Sequence, residues 1–144
     1  MNLSKNFTLE EAEMSHKADS LHIDNHLSAS LTKDAELFAS VVLQPIRDEI
    51  GIPFNVTSWY RCPALNKAVG GVKTSAHLSA MALDFTVAGH TARESFSLVL
   101  VALKNLRISF DQLIIEKNTK TGANWVHLGF KKSGNRNQSF ALTV

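Results

Sequence analysis

The stretch Ser75-Ala-His77-Leu-Ser-Ala80-Met-Ala-Leu-Asp84-Phe-Thr-Val87 decides how this chain is read. It pairs with a second one, Trp125-Val-His127-Leu-Gly-Phe130. Met81–Val87 and Trp125–Phe130 both have the apolar character of buried strands, yet each carries one strongly polar side chain. A carboxylate or imidazole buried without a partner costs several kcal/mol. Asp84 and His127 therefore need partners, and a shared cation would satisfy both. His77 and Asp84 stand seven residues apart, which is wrong for one helix face, where neighbours recur every three or four positions. The spacing suits a loop residue feeding a strand, with His127 on the strand beside it. Two imidazoles and one carboxylate are the donor set of a catalytic zinc site that leaves its fourth position to water.

Working outward, Thr8-Leu-Glu-Glu11 reads as a capping box that opens a short first helix. Residues 15–31 are polar and read as loop with a helical turn. They hold His16, His22 and His26, taken as exposed loop histidines. Thr32–Ile50 is the strongest helix, with Leu37, Phe38, Val41, Val42, Ile46 and Ile50 at helical spacing. Pro45 removes a backbone donor and should kink or restart it, and Gly51 suits its C-terminal cap. A strand over residues 52–58 follows, then a short helix over 63–68 ended by Gly70-Gly71. Thr91-Ala-Arg-Glu94 is another capping box, opening a helix to about Leu106. The apolar residues of that helix run most of the way round, so it should be largely buried. His90, in the turn before it, is read as a capping residue.

Residues 110–117 and 123–130 form a hairpin around the polar Asn118–Gly122 turn, and residues 139–144 read as a last strand. Helices come first, then strands with one long helix between them. That order predicts an α+β domain with a mostly antiparallel sheet flanked by helices.

With 144 residues the chain is one domain, long enough to bury about 70% of its unfolded surface. No stretch approaches the roughly 20 apolar residues of a transmembrane helix, and the start lacks the apolar core of a signal peptide. A net charge of +2 is too mild to argue for nucleic acid. The single Cys62 excludes an internal disulfide and a Cys-based zinc site. No membrane partner and no nucleic-acid partner are expected, and a monomer is.

Ser75-x-His77-x-x-Ala80-x-Ala82-x-Asp84 together with Trp125-x-His127 resembles the zinc D-Ala-D-Ala carboxypeptidase family, peptidase family M15, whose fold is similar to the hedgehog signalling domain. The resemblance covers nearly the whole chain. It takes in the Leu3–Glu11 opening, Val42–Arg47, Thr57-Ser-Trp-Tyr-Arg61 and Leu65-Asn-Lys-Ala-Val-Gly-Gly71. The family usually has Gly where this chain has Ala80. The resemblance implies one Zn²⁺ bound by His77, Asp84 and His127, and a peptidoglycan stem peptide as substrate. It also implies that the protein acts on the cell wall after release or export by another factor, as a phage or prophage lytic enzyme does.

Hydrolysis needs a general base beside the metal. Some relatives carry an acid three positions before the final His, where this chain has Asn124. Others, hedgehog-like ones among them, place a Glu upstream on the preceding hairpin strand, and Glu116 matches that pattern. Arg61 and Ser75 are the expected substrate-binding residues, Arg61 because its planar fork can hold a carboxylate in two places. The alternative to a carboxypeptidase or endopeptidase is a catalytically inactive zinc domain that binds cell-wall peptide or a protein partner.

Overall fold

A computed structural model describes residues 1–144. Two short helices open the chain, α1 (Leu9–Glu13) and α2 (His16–Ser20). Thr8 Oγ1 accepts from Glu11 N at the start of α1, so the first half of the expected box is present. Helix α3 (Ala29–Phe38) starts three residues earlier than the apolar spacing suggests, because Ser28 supplies the cap through Leu31 N. It runs through a widened π turn, Ala39–Leu43, into α4 (Gln44–Ile50). The π turn lies just before Pro45, and Gln44 N reaches back to Ala39 O. Widening the turn absorbs the donor that proline lacks, so the restart expected at Pro45 takes the form of a bulge in a continuous helical rod. Gly51 ends the rod in the left-handed region, at φ 74°.

The remaining elements are β1 (Phe54–Ser58), α5 (Pro63–Ala68), a 3₁₀ turn at Ala76–Ser79, β2 (Ala82–Val87), α6 (Ala92–Asn105), β3 (Gln112–Lys117), β4 (Asn124–Gly129) and β5 (Gln138–Thr143). The five strands form one sheet in the order β1-β2-β4-β3-β5. All neighbours are antiparallel except β3 and β5, which run parallel, so the domain is α+β with a mixed, mostly antiparallel sheet.

Strand alternation divides the sheet into two chemically different faces. Leu83, Phe85, Leu113, Val126 and Leu128 share the face on which α6 packs, and all five are fully buried. Asp84, Ile114, Glu116, Trp125 and His127 share the other. Helix α6 is held at its start by the complete Thr91–Glu94 box, Thr91 Oγ1 accepting from Glu94 N and Glu94 Oε1 from Thr91 N. His90 takes no part in that cap; its Nδ1 faces Ala88 O instead. The helix is also less buried than its composition suggests. Val101 and Leu106 stay 55% and 37% exposed because nothing packs on its outer side.

The core is centred on Trp59, which is fully buried with Phe7 and Phe38 edge-on to its ring. Truncating a buried aromatic of this kind costs about 3–5 kcal/mol. Trp59 is also where the core reaches the polar face of the sheet.

Candidate metal centre

His77 sits in the 3₁₀ turn, Asp84 on β2, and His127 directly opposite Asp84 on β4. Asp84 Oδ1 lies 3.2 Å from His77 Nε2 and 3.0 Å from His127 Nδ1. All three donor atoms fall within 4.8 Å of one another. Ligands about 2.0–2.1 Å from a tetrahedral zinc stand roughly 3.3 Å apart, so the two Asp84 separations suit such a site.

The ring nitrogens have defined roles. His77 Nδ1 lies 2.6 Å from the Trp59 carbonyl oxygen, which can only accept, so Nδ1 carries the proton. That leaves Nε2 as a bare lone pair facing Asp84, the tautomer a metal ligand needs. His77 is 2% exposed, so this lone pair has no bulk water to turn to. Burial, the largest single influence on Asp84, pushes its carboxyl pKa up. In their protonated form, without a cation between them, the two adjacent imidazoles together outweigh burial and hold the group well below the usual carboxylate range. Asp84 is thus kept ionised as the anionic member of the set.

The turn that presents His77 is held at both ends by Trp59. Its carbonyl takes the His77 ring proton and its indole N–H donates to Ala80 O at 2.7 Å. Ala80 adopts φ 62°, the left-handed region that favours glycine. This accounts for the glycine of related sequences at that position and shows that alanine is accommodated here. Upstream, Asn66 Nδ2 donates to Val72 O at 2.9 Å, and a Cβ on Gly71 would overlap the Asn66 side chain. The Asn66 and Gly71 pair therefore closes the loop that leads into Ser75.

Glu116 faces Trp125 across the β3–β4 hairpin, and Trp125 Nε1 donates to Glu116 Oε2 at 2.6 Å. Glu116 thus lies on the metal face of the sheet, with Oε1 as its remaining oxygen. Asn124 alternates with Trp125 and shares the register of Val126 and Leu128, so its side chain belongs to the opposite face.

Arg61 Nη2 donates to Ser75 Oγ at 3.2 Å, while its Nε is buried without a partner. Burial lowers its pKa, and the Asp84 and Glu116 carboxylates within electrostatic reach oppose that shift. Ser75 Oγ also accepts from His77 N at 3.3 Å, so the hydroxyl caps the ligand turn and braces Arg61 at once. Arg61, Ser75, His77, Asp84, Glu116 and His127 all line one cleft of about 1040 Å³.

Two supporting residues escape a reading of local motifs. Trp59 is one. The other is Asn25, 5% exposed, which donates to Glu13 O and Tyr60 O at 3.0 Å and accepts from Cys62 N at 2.8 Å. It grips the chain on both sides of Arg61. No local pattern could have found either, since both act on partners far away in sequence. The Trp125 contact depends on the hairpin register: the expected strands, 110–117 and 123–130, would set Asn124 opposite Glu116, whereas Lys117 pairs with Asn124 and brings Trp125 there. His26 is exposed and lies 3.8 Å from Glu13 and Asp24, away from this cleft.

A His–Asp–His face flanked by a carboxylate and a partly unsatisfied guanidinium, set in an open cleft on a mixed sheet, has the make-up of a metallopeptidase. The sequence model of the family Peptidase M15 matches residues 5–128, and the chain belongs to that family. No curated protein matches the chain.

Proposed function

We propose that this M15 metallopeptidase hydrolyses a D-amino-acid-containing bond in the stem peptide of peptidoglycan, with Zn²⁺ held by His77 Nε2, Asp84 Oδ1 and His127 Nδ1. The observation that carries the metal assignment is the convergence of both imidazoles on one Asp84 oxygen, with the other His77 nitrogen tied to Trp59 O. A zinc ion bound there supplies Lewis acidity toward the scissile carbonyl and brings the acidity of water towards neutral pH.

The chain's own groups do the rest. Glu116 is the general base. Trp125 occupies its Oε2, so Oε1 takes the proton of the attacking water and later returns it to the leaving amine. Arg61 anchors a substrate carboxylate through guanidinium N–H groups that the protein leaves unused, and Ser75 holds that guanidinium in place. The cleft is as large as the upper end of the roughly 300–1,000 Å³ usual for small-molecule sites. An open cleft of that size leaves room for peptide on both sides of the bond, as an endopeptidase needs; the fragments released name the bond, L-Ala–D-Glu or D-Ala–D-Ala.

The test is incubation of the zinc-loaded protein with purified peptidoglycan, followed by mass analysis of the soluble fragments. New amino termini inside the stem peptide are the expected result. Release of free D-Ala alone would reassign the enzyme as a carboxypeptidase, and intact peptidoglycan would overturn the reading.

A further inference from the structure

Strand β5 contributes nothing to the core, since every residue from Gln138 to Thr143 is exposed. It is nevertheless firmly attached. Asp111, 6% exposed, accepts from Arg136 Nε at 2.9 Å and Arg136 Nη2 at 2.8 Å just before the strand. At the far end, Val144 N donates to Lys117 O at 2.8 Å and Thr119 N to Val144 O at 3.0 Å. The register sets Phe140 beside Ile114 and Leu142 beside Glu116. Phe140, Leu142 and Val144 therefore share the metal face of the sheet, and they are 38%, 41% and 53% exposed. Leu142 and Val144 line the same cleft as the metal triad. The segment also lies beyond residue 128, where the match to the family ends.

Neighbouring apolar side chains left in water on a well-anchored strand are an unfavourable arrangement unless something covers them. Because they continue the wall of the cleft next to Glu116, the chemistry points to the substrate itself. We infer that Leu142 and Val144 form a subsite for an aliphatic side chain of the peptide. The inference rests on the peptidase reading and adds to it a specificity element outside the matched residues 5–128. Phe140 is on the same face but outside the cleft, so it is not part of the subsite.

The probes are tetrapeptides L-Ala–γ-D-Glu–X–D-Ala, with X as lysine, norleucine or glycine. Their affinities are measured by titration calorimetry on the zinc-loaded Glu116→Gln protein, which prevents turnover during the titration. The lysine and norleucine peptides should bind about tenfold tighter than the glycine peptide, the usual worth of a few methylenes entering an apolar pocket. In a Leu142→Thr/Val144→Thr background that preference should vanish, with affinity for the glycine peptide unchanged. Phe140→Thr should leave the preference intact, which separates a subsite from general loosening of the strand. Equal binding of all three peptides, no binding of any, or a preference that survives in the double variant would each overturn the subsite. If the preference behaves as expected while the wild-type protein leaves peptidoglycan intact, the subsite stands and the hydrolytic reading fails.

Discussion

Replacing Trp125 with Phe removes one atom group of consequence, the indole N–H that holds Glu116 Oε2 at 2.6 Å. Phe keeps most of the ring's apolar contact and fits the strand. Hydrogen bonds to an ionised group contribute about 1.5–3 kcal/mol, and Trp125 is only half-buried, so water recovers part of the loss. That leaves about 1–2 kcal/mol of misorientation to appear in the barrier, or roughly a 5- to 30-fold fall in kcat. KM should hold, because Trp125 is not assigned to the substrate. The assay is steady-state hydrolysis of a soluble stem peptide, with a melting curve on the same preparation. A melting temperature close to wild type separates positioning from unfolding. The decisive control is Glu116→Gln. If Trp125 acts through the carboxylate, adding Trp125→Phe to that variant costs almost nothing further, a strongly non-additive cycle. A kcat within twofold of wild type, or the same fold loss in both backgrounds, would refute the reasoning.

Arg61→Ala should lower kcat/KM about ten- to a hundredfold with zinc content unchanged, and Arg61→Lys should restore only part, since a point charge cannot reproduce the fork. Turnover and melting temperature measured together check this. An Arg61→Ala protein whose folded fraction works normally would remove Arg61 from the site. Gly71→Ala should lower stability by about 1–3 kcal/mol, because its Cβ overlaps the buried Asn66 side chain, as a denaturant midpoint would show. The Arg136 hydrogen bonds, opposed by burial, hold the Asp111 carboxyl below its ordinary range. A depressed pKa contributes stability that is fully present above the unfolded value of about 3.9 and lost as pH falls through the folded one. Asp111→Asn should therefore melt below wild type at neutral pH, with the gap closing below about pH 3.9; a gap independent of pH would contradict the ion-pair account.

Much of this architecture is legible in the chain. The turn-to-strand reading of His77 and Asp84 follows from their spacing and from the apolar run around Asp84. Thr91 and Glu94 announce the start of α6, and the polar Asn118–Gly122 stretch announces the hairpin. What is hidden depends on contacts distant in sequence. The parallel pairing of β5 with β3 rests on the Asp111–Arg136 bonds and on Asn137, whose φ of 52° and backbone N–H donated to Phe110 O turn the chain into register. No periodicity encodes that. The exposure of Val101 and Leu106 is equally invisible, because helical spacing says which residues share a face and not whether anything covers it. Trp59 reads as an ordinary core aromatic, and only the fold shows that it holds the ligand turn at both ends.

The central claim is that His77, Asp84 and His127 form one metal centre. Its most direct test is the zinc content per chain, by elemental analysis of desalted protein, for wild type and for the single alanine variants of these three residues. The account predicts one zinc in the wild-type chain and near none in each variant, all with the melting temperature lowered by loss of the bound ion. Full zinc occupancy in any of the three variants would contradict it.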